Sequence, residues 1–198
     1  SKWPLFFLRY TMGQTDISNE RSSFQRLDAE MEKTFRMALT GDFTVRVTGG
    51  WIPNNLPAHM NYNAQGTNTN SYDHDRYLGL AAPYTFETMR TNEFIHSRFV
   101  QVHLRHSFKD LLFKSGKFRP LLSVVQNMCW GDLENPASHT IIGRQAKEGF
   151  FESGLVIDQL LKSAFSGIGL GVFYRYGPYA GTSAEDNIVV KFSTNISF

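Results

Sequence analysis

Residues of unlike character alternate with a period of two through most of this chain, which leaves little room for anything but β structure. At the C-terminal end Val190, Phe192, Thr194, Ile196 and Phe198 alternate with Lys191, Ser193, Asn195 and Ser197. Before them Ile168, Leu170, Val172, Tyr174 and Tyr176 share one parity, against Gly167, Gly169, Gly171, Phe173 and Arg175. Val100, Val102, Leu104 and Phe108 alternate with Gln101, His103, Arg105 and Ser107, and Phe43, Val45 and Val47 with Thr44, Arg46 and Thr48. The same test predicts about eight strands: 3–12, 24–38, 42–51, 94–108, 120–130, 150–160, 167–176 and 187–198. Residues 29–39 are rich in helix formers. Even there Leu27, Ala29, Met31, Phe35, Met37 and Leu39 fall on one parity, with Lys33 as the single defect, so a long strand is expected.

A soluble sandwich or barrel alternates too, so strand length and connections must arbitrate. The expected strands have ten residues or more, as a tilted membrane crossing needs, whereas strands of soluble domains usually have about five or six. If residue 198 ends on the periplasmic side, connections 13–23, 52–93, 131–149 and 177–186 emerge outside, and 39–41, 109–119 and 161–166 inside. Long loops outside and short turns inside are the pattern of outer-membrane barrels. Trp3, Trp51, Trp130, Tyr176, Tyr179 and Phe198 stand at strand ends, where interfacial aromatic girdles form. In this reading Gln101, His103, Arg105, Arg175 and Lys191 face the lumen, and the glycines at 167, 169 and 171 thin its wall or allow strong curvature.

Composition closes other routes. No apolar run approaches the ~20 residues of a spanning helix. With 14% aromatic and 19% charged residues among 198, the chain is unlike a disordered one. A net charge of +2 gives no footprint for nucleic acid. The lone Cys129 cannot form an internal disulfide. His96, His103 and His106 fall on different faces of a strand and cannot converge on one metal ion without a bulge, and Asp73-His74-Asp75 reads as ordinary loop polarity. There is no nucleophile elbow, and Ser107 and His103 are about 13 Å apart along a strand, too far for a hydrogen bond. No catalytic, cofactor or metal site is therefore expected.

The final residues, with Phe192, Thr194, Ile196 and Phe198 on one parity and an aromatic at the end, resemble the terminal targeting signal by which bacterial outer-membrane proteins address their assembly machinery. Four further segments carry a more specific likeness: Pro4-Leu5-Phe6-Phe7-Leu8-Arg9-Tyr10-Thr11-Met12-Gly13, Phe94-Ile95-His96-Ser97-Arg98-Phe99-Val100, His106-Ser107-Phe108 with Leu111-Leu112-Phe113, and Gly171-Val172-Phe173-Tyr174-Arg175-Tyr176-Gly177. They resemble, in the same order and over nearly the whole chain, the C-terminal barrel of a Bacteroidota family of large outer-membrane proteins with an N-terminal carboxypeptidase-regulatory-like domain. That family is similar to the surface-antigen superfamily of BamA and TamA, whose barrels have sixteen strands.

The resemblance implies that residues 1–198 are the C-terminal half of such an antiparallel transmembrane barrel, with periplasmic domains outside this chain. It implies a bacterial outer-membrane location and a non-enzymatic role in outer-membrane protein assembly or translocation, or in an envelope complex. The expected partners are membrane lipids, other envelope proteins or lipoproteins, and the assembly machinery, with no cofactor. The long loop 52–93 precedes the fifth strand from the end, as the sixth extracellular loop does in that superfamily. The superfamily's Val-Arg-Gly-Phe loop motif, which turns an arginine into the lumen against an acidic strand residue, has no close counterpart; Arg76 and Arg90 are the candidate anchors. Two other readings remain open: a passive pore or scaffold barrel, and a soluble eight-stranded barrel with a ligand cavity lined by the apolar parity.

Overall fold

In the computed structural model of the chain, residues 3–17, 20–53, 56, 60–68, 79–109, 119–134, 144–162 and 166–196 are described. Eight long strands make the frame: β1 (Leu5–Ile17), β2 (Glu20–Met37), β3 (Gly41–Trp51), β9 (Arg98–Lys109), β10 (Leu121–Asp132), β11 (Phe150–Lys162), β12 (Ser166–Tyr176) and β13 (Ile188–Ile196). Five short ones lie in the long connection: β4 (Tyr62–Asn63), β5 (Gly66–Asn68), β6 (Leu80–Ala81), β7 (Phe86–Arg90) and β8 (Ile95–His96). A 3-10 turn stands at Glu185–Asn187. No helix among them is long and apolar enough to cross a membrane.

The long strands pair antiparallel in sequence order, and the sheet runs β1-β2-β3-β9-β10-β11-β12-β13 with β6 added in parallel at the end. The sheet is open among the described residues: there β1 pairs only with β2, and no pairing joins it to β13, so the described strands do not close a barrel by themselves. Each expected strand is present with shifted ends. The first hairpin continues to Ile17 opposite Glu20, so the connection expected over 13–23 shrinks to residues 18–19. The strand expected to begin at Phe94 begins at Arg98 instead, because Ile95–His96 peels away to pair with Tyr62–Asn63.

The two faces of the sheet are opposite in character, and their exposure is inverted relative to a protein with an oily core. On β12 and β13 the apolar parity (Ile168, Val172, Tyr174, Ile188, Phe192) is exposed, while Arg175, Lys191 and Ser193 on the other parity are buried. β10 behaves alike: Val124 is exposed, and Ser123, Asn127 and Cys129 are buried. On the outer, apolar face two aromatic rows form. One joins Trp130, Phe151, Tyr176 and Tyr174 at centroid separations of 5.5, 5.9 and 6.3 Å. The other joins Phe35, Phe43, His106 and Phe108 at 6.4, 6.3 and 4.5 Å. Trp130 pairs with Val100, six residues before His106 on β9, which separates the rows by about 20 Å at the rise of a strand. Tyr179 belongs to neither row: it packs on Phe94 at 5.0 Å and donates to the Gln145 carbonyl on the inner side.

The inner face is covered by the long connection, which folds back across it. Ala64, Phe86, Met89 and Phe94 from this connection form the largest buried apolar cluster with Cys129, Ala146 and Phe150. A second cluster, Ile52, Leu56 and Tyr62, takes in Phe24 and Phe99. Glycines on β12 supply the space that this packing needs. A Cβ on Gly171 would lie 2.6 Å from the Phe173 ring, and one on Gly169 would lie 2.3 Å from both Ser193 Oγ and the Ile157 carbonyl. The glycine parity thus faces inward and thins the wall there.

Candidate functional site

The polar parity of the strands becomes a docking wall for the folded-back segment 79–97. Lys191 on β13 reaches Glu87 on β7 at 2.8 Å, and the two side chains are only 3% and 2% exposed. All four lone-pair directions of the Glu87 carboxylate are used. Oε1 accepts from the Ala82 N–H and the Thr85 hydroxyl, both at 2.9 Å, and Oε2 accepts from the Thr67 hydroxyl and Lys191 at 2.8 Å. Such saturation is what lets a charge pair persist away from water.

Glu152 on β11 is the second anchor and is fully buried. Its Oε1 accepts from the Glu87 N–H at 3.0 Å and from Asn127 at 2.9 Å; Oε2 accepts from the N–H and hydroxyl of Thr88, both at 2.6 Å. A strand carboxylate here takes the place of a ladder partner for the loop backbone. The third anchor is Arg175 on β12, which grips Glu93 through two bonds of 3.1 and 2.7 Å and lies 4.7 Å over the Phe150 ring. Bidentate geometry fixes orientation as well as distance.

Smaller contacts complete the wall. Asn127 donates to the Thr85 carbonyl, and His103 bonds Asn127 at 3.0 Å while its ring lies 5.0 Å from Phe86. Below the loop tip is a cavity of about 300 Å³, lined by Pro83, His103, Arg105, Asn127, Asp158 and Phe173. At its floor Arg105 pairs with Asp158 at 2.7 Å, and Asp158 accepts from Ser193 at 2.6 Å. A second recess of about 350 Å³ faces β1 to β3 and carries Arg9, Arg26, Asp28, Glu30 and Arg46. In the loop, burial pushes the His96 imidazole down to about 4. The Tyr62 phenol is pushed up to about 12, first by burial and then by Asp28.

Of the five polar residues expected to face a lumen, Gln101, His103, Arg175 and Lys191 are buried on the inner side of the sheet, and Arg105 is half-buried there. Arg90 is exposed, and its N–H donates to Glu93. Arg76, the Asp73-His74-Asp75 triplet and Phe198 lie outside the described residues. Phe192 and Thr194 point outward on β13, and Ile196 ends that strand. Among the described residues the charged contacts of the loop with the strands are made by two acids, Glu87 and Glu93, on the strand bases Lys191 and Arg175. Glu87 and Glu93 were not singled out by sequence, and Glu152 was weighed only as a carboxylate pair with Asp158, because the contacts that join strand to loop span 64 to 104 residues. Among the described residues no group of three or more His, Cys, Asp or Glu side chains could hold a metal ion.

The C-terminal domain of a family of unknown function, DUF5686, matches residues 1–125. The chain belongs to this family. The match takes in β1 to β9 and the first part of β10 in this DUF5686 domain, and so includes the folded-back segment with Glu87 and Glu93. Its wall anchors Glu152, Arg175 and Lys191 follow the matched stretch. No curated protein and no solved structure matches the chain.

Proposed function

We propose that this DUF5686 domain is part of a transmembrane β-barrel of the bacterial outer membrane and that its role is non-enzymatic, in outer-membrane protein assembly or translocation or as a component of an envelope complex. The observation that carries this reading is the inverted exposure: the apolar parity faces out and the charged parity is buried inside. In water such an arrangement forfeits the burial of apolar area that holds a domain together. In lipid it is what a barrel strand requires. The two aromatic rows, about 20 Å apart along β9, lie about 15 Å apart in height at a strand tilt of ~40°, within an apolar band about 25 Å tall.

The open sheet is compatible with a larger barrel, and the count of sixteen strands rests on the resemblance alone. Among the described residues no strand pairs with the outer edge of β1, where Leu5, Phe6, Phe7 and Leu8 are exposed on both faces, and a lipid-exposed sheet edge is not tolerated in a membrane. Closure by further strands removes that edge. Likeness to the BamA and TamA superfamily, and to its protein-handling activity, rests on the resemblance and on the position of the long loop.

Two alternatives fare worse. A passive pore needs an open lumen, whereas the long loop is fastened across the inner face by three buried carboxylates. A soluble ligand-binding barrel keeps its apolar parity inside around the ligand, whereas here Ile168, Val172, Tyr174, Ile188 and Phe192 of that parity are exposed on the outer face and the cavity of about 300 Å³ mixes Val125, Val156 and Phe173 with Arg105, Asn127 and Asp158.

The test is alternate-residue labelling of the protein reconstituted in vesicles. Single cysteines at Val172, Tyr174, Val190 and Phe192 are expected to be quenched by lipid-borne probes and to resist water-soluble maleimide. Cysteines at Phe173 and Ser193 are expected to escape the lipid probe. Equal access of the aqueous reagent to both parities, or extraction of the protein into buffer without detergent, overturns the reading.

A further inference from the structure

The tip of the folded-back segment does not pack flat onto the sheet. Between residues 81–87 and the inner sides of β9 to β13 lies the cavity of about 300 Å³, and all of its lining residues belong to these elements. Two glycines make its room. A Cβ on Gly154 or Gly171 would lie 2.4 or 2.6 Å from the Phe173 ring, so a side chain at either position would displace that ring from the wall. With Val125 and Val156 the ring forms an apolar patch on the cavity. A volume near 300 Å³ is at the lower end for ligand sites, so the occupant is small.

Facing the same space are two polar groups with capacity to spare. Arg105 spends Nη2 on Asp158 at 2.7 Å and on Ser123 at 3.2 Å. Its Nε and Nη1 N–H groups meet no partner among the described residues, and its side chain is 40% exposed. Ser193 holds Asp158 in turn at 2.6 Å, so the guanidinium is fixed and its remaining donors are left to an acceptor from outside. His103 is the complementary group. Its Nδ1 lies 3.0 Å from Asn127 Oδ1, while the Asn127 amide nitrogen donates to the Thr85 carbonyl and to Glu152. This network assigns the imidazole proton to Nδ1 and leaves the Nε2 lone pair without a donor among the described residues. Burial lowers the affinity of this ring for a second proton, so Nε2 remains an acceptor at neutral pH.

His103 and Arg105 are two residues apart on one face of β9, about 7 Å at the rise of a strand. A carboxylate and an amine on one carbon, each at a hydrogen-bond length of about 3 Å, cover that span. The charges around the cavity already balance, Arg105 against Asp158 and Lys191 against Glu87. A ligand of zero net charge enters without leaving one of them unpaired.

We propose that this cavity binds a free α-amino acid with an apolar side chain: its carboxylate accepts from Arg105, its ammonium donates to His103 Nε2, and its side chain lies against Val125, Val156 and Phe173. This goes beyond the outer-membrane reading and does not depend on it. Because residues 81–87 supply the roof, the ligand binds only the docked loop and stabilises it by mass action. Docking of the loop thereby responds to a small molecule.

The test is calorimetric titration of the whole chain in detergent micelles with L-leucine, with leucinamide, which lacks the carboxylate, and with 4-methylpentanoate, which lacks the amine. L-leucine is expected to bind one to one, and each analogue at least tenfold more weakly, since it leaves a polar group of the site unpaired. At a ligand concentration of about 100 times Kd, proteolysis within 79–97 is expected to slow by up to about a hundredfold. Val156→Phe fills the cavity without touching its polar groups, and Arg105→Gln/Asp158→Asn removes the ion pair as a unit. Each is expected to weaken L-leucine binding at least tenfold. No binding of L-leucine to the wild-type chain, or equal binding of all three compounds, overturns the proposal without any variant having to fold. Binding that persists in both variants overturns this site, and unchanged proteolysis at saturation overturns the coupling to the loop. None of these outcomes alters the vesicle labelling by which the membrane reading stands or falls.

Discussion

Glu87 of the folded-back loop and Lys191 of the last strand, 104 residues apart in sequence, meet at 2.8 Å with almost no access to water. The pair closes a circuit in which Lys191 also donates to Thr67 at 2.7 Å and Thr67 donates to Glu87. The loop and the end of the sheet thus share one charge-neutral knot. Removing one member leaves the other buried and unpaired, which costs about 3–5 kcal/mol. Lys191→Met alone should therefore lower the urea midpoint of the detergent-solubilised protein strongly. The Glu87→Met/Lys191→Met double variant should recover a large part of the loss. A double variant no better than the worse single one would show that the pair does not act as a unit.

Glu152→Ala removes the acceptor for the backbone N–H groups of Glu87 and Thr88 and for the Asn127 amide at once. Buried orphaned donors cost about 1–3 kcal/mol each. The expected readout is local: limited proteolysis should cut within 79–97 at least tenfold faster, while the strands stay protected. Wild-type cleavage rates in that segment would remove Glu152 from the role of anchor.

His96 gives the loop a pH response. Its imidazole is held at about 4, against 6.5 in an unfolded chain, chiefly by burial. A base whose folded value is depressed stays neutral in the native state while the unfolded state takes up a proton. Stability is thus full above pH 6.5, falls as pH drops through the window from 6.5 to about 4, and is level below it. The whole effect is of order 3 kcal/mol. His96→Phe should flatten this slope in urea titrations at pH 7 and pH 4.5, and a slope identical to wild type would assign the acid sensitivity to other groups.

Gly169 and Gly171 test the inner packing. Gly169→Ala brings a methyl group against the Ile157 carbonyl, which cannot move away without breaking the sheet. Gly171→Ala meets the Phe173 ring, which can be shortened. Gly169→Ala should lower the yield of heat-modifiable folded protein on gels well below that of Gly171→Ala. Phe173→Leu should rescue only the latter. Rescue of both would place the clash elsewhere.

How much of this was legible in the sequence varies by element. The eight long strands and their two parities followed from the alternation, including Leu27 to Met37, where helix-forming residues pull the other way; tertiary pairing with β1 and β3 overrides that propensity, and Leu39 falls in the turn. The first loop was misplaced because Gly13 to Ser23 reads as turn chemistry, yet the residues pair across a hairpin whose strands run on to Ile17 and Glu20. Tyr179 reads as a strand-end aromatic, yet its ring fills the space beside Phe94. Glu87, Glu93 and Glu152 carry no local signal, since glutamates are common in any solvated loop or strand.

The sequence by itself determined that this chain makes long antiparallel strands with unlike faces, because a period of two is a local property that the pleat reads directly. Only the tertiary structure decided what lies against the polar face, that the loop's acids meet the strands' bases, and that Leu80–Ala81 pairs with β13. Those outcomes depend on contacts between residues up to 124 apart, as between Lys191 and Thr67. Such contacts are fixed by complementary charge, burial and space in the folded chain, and no periodicity encodes them.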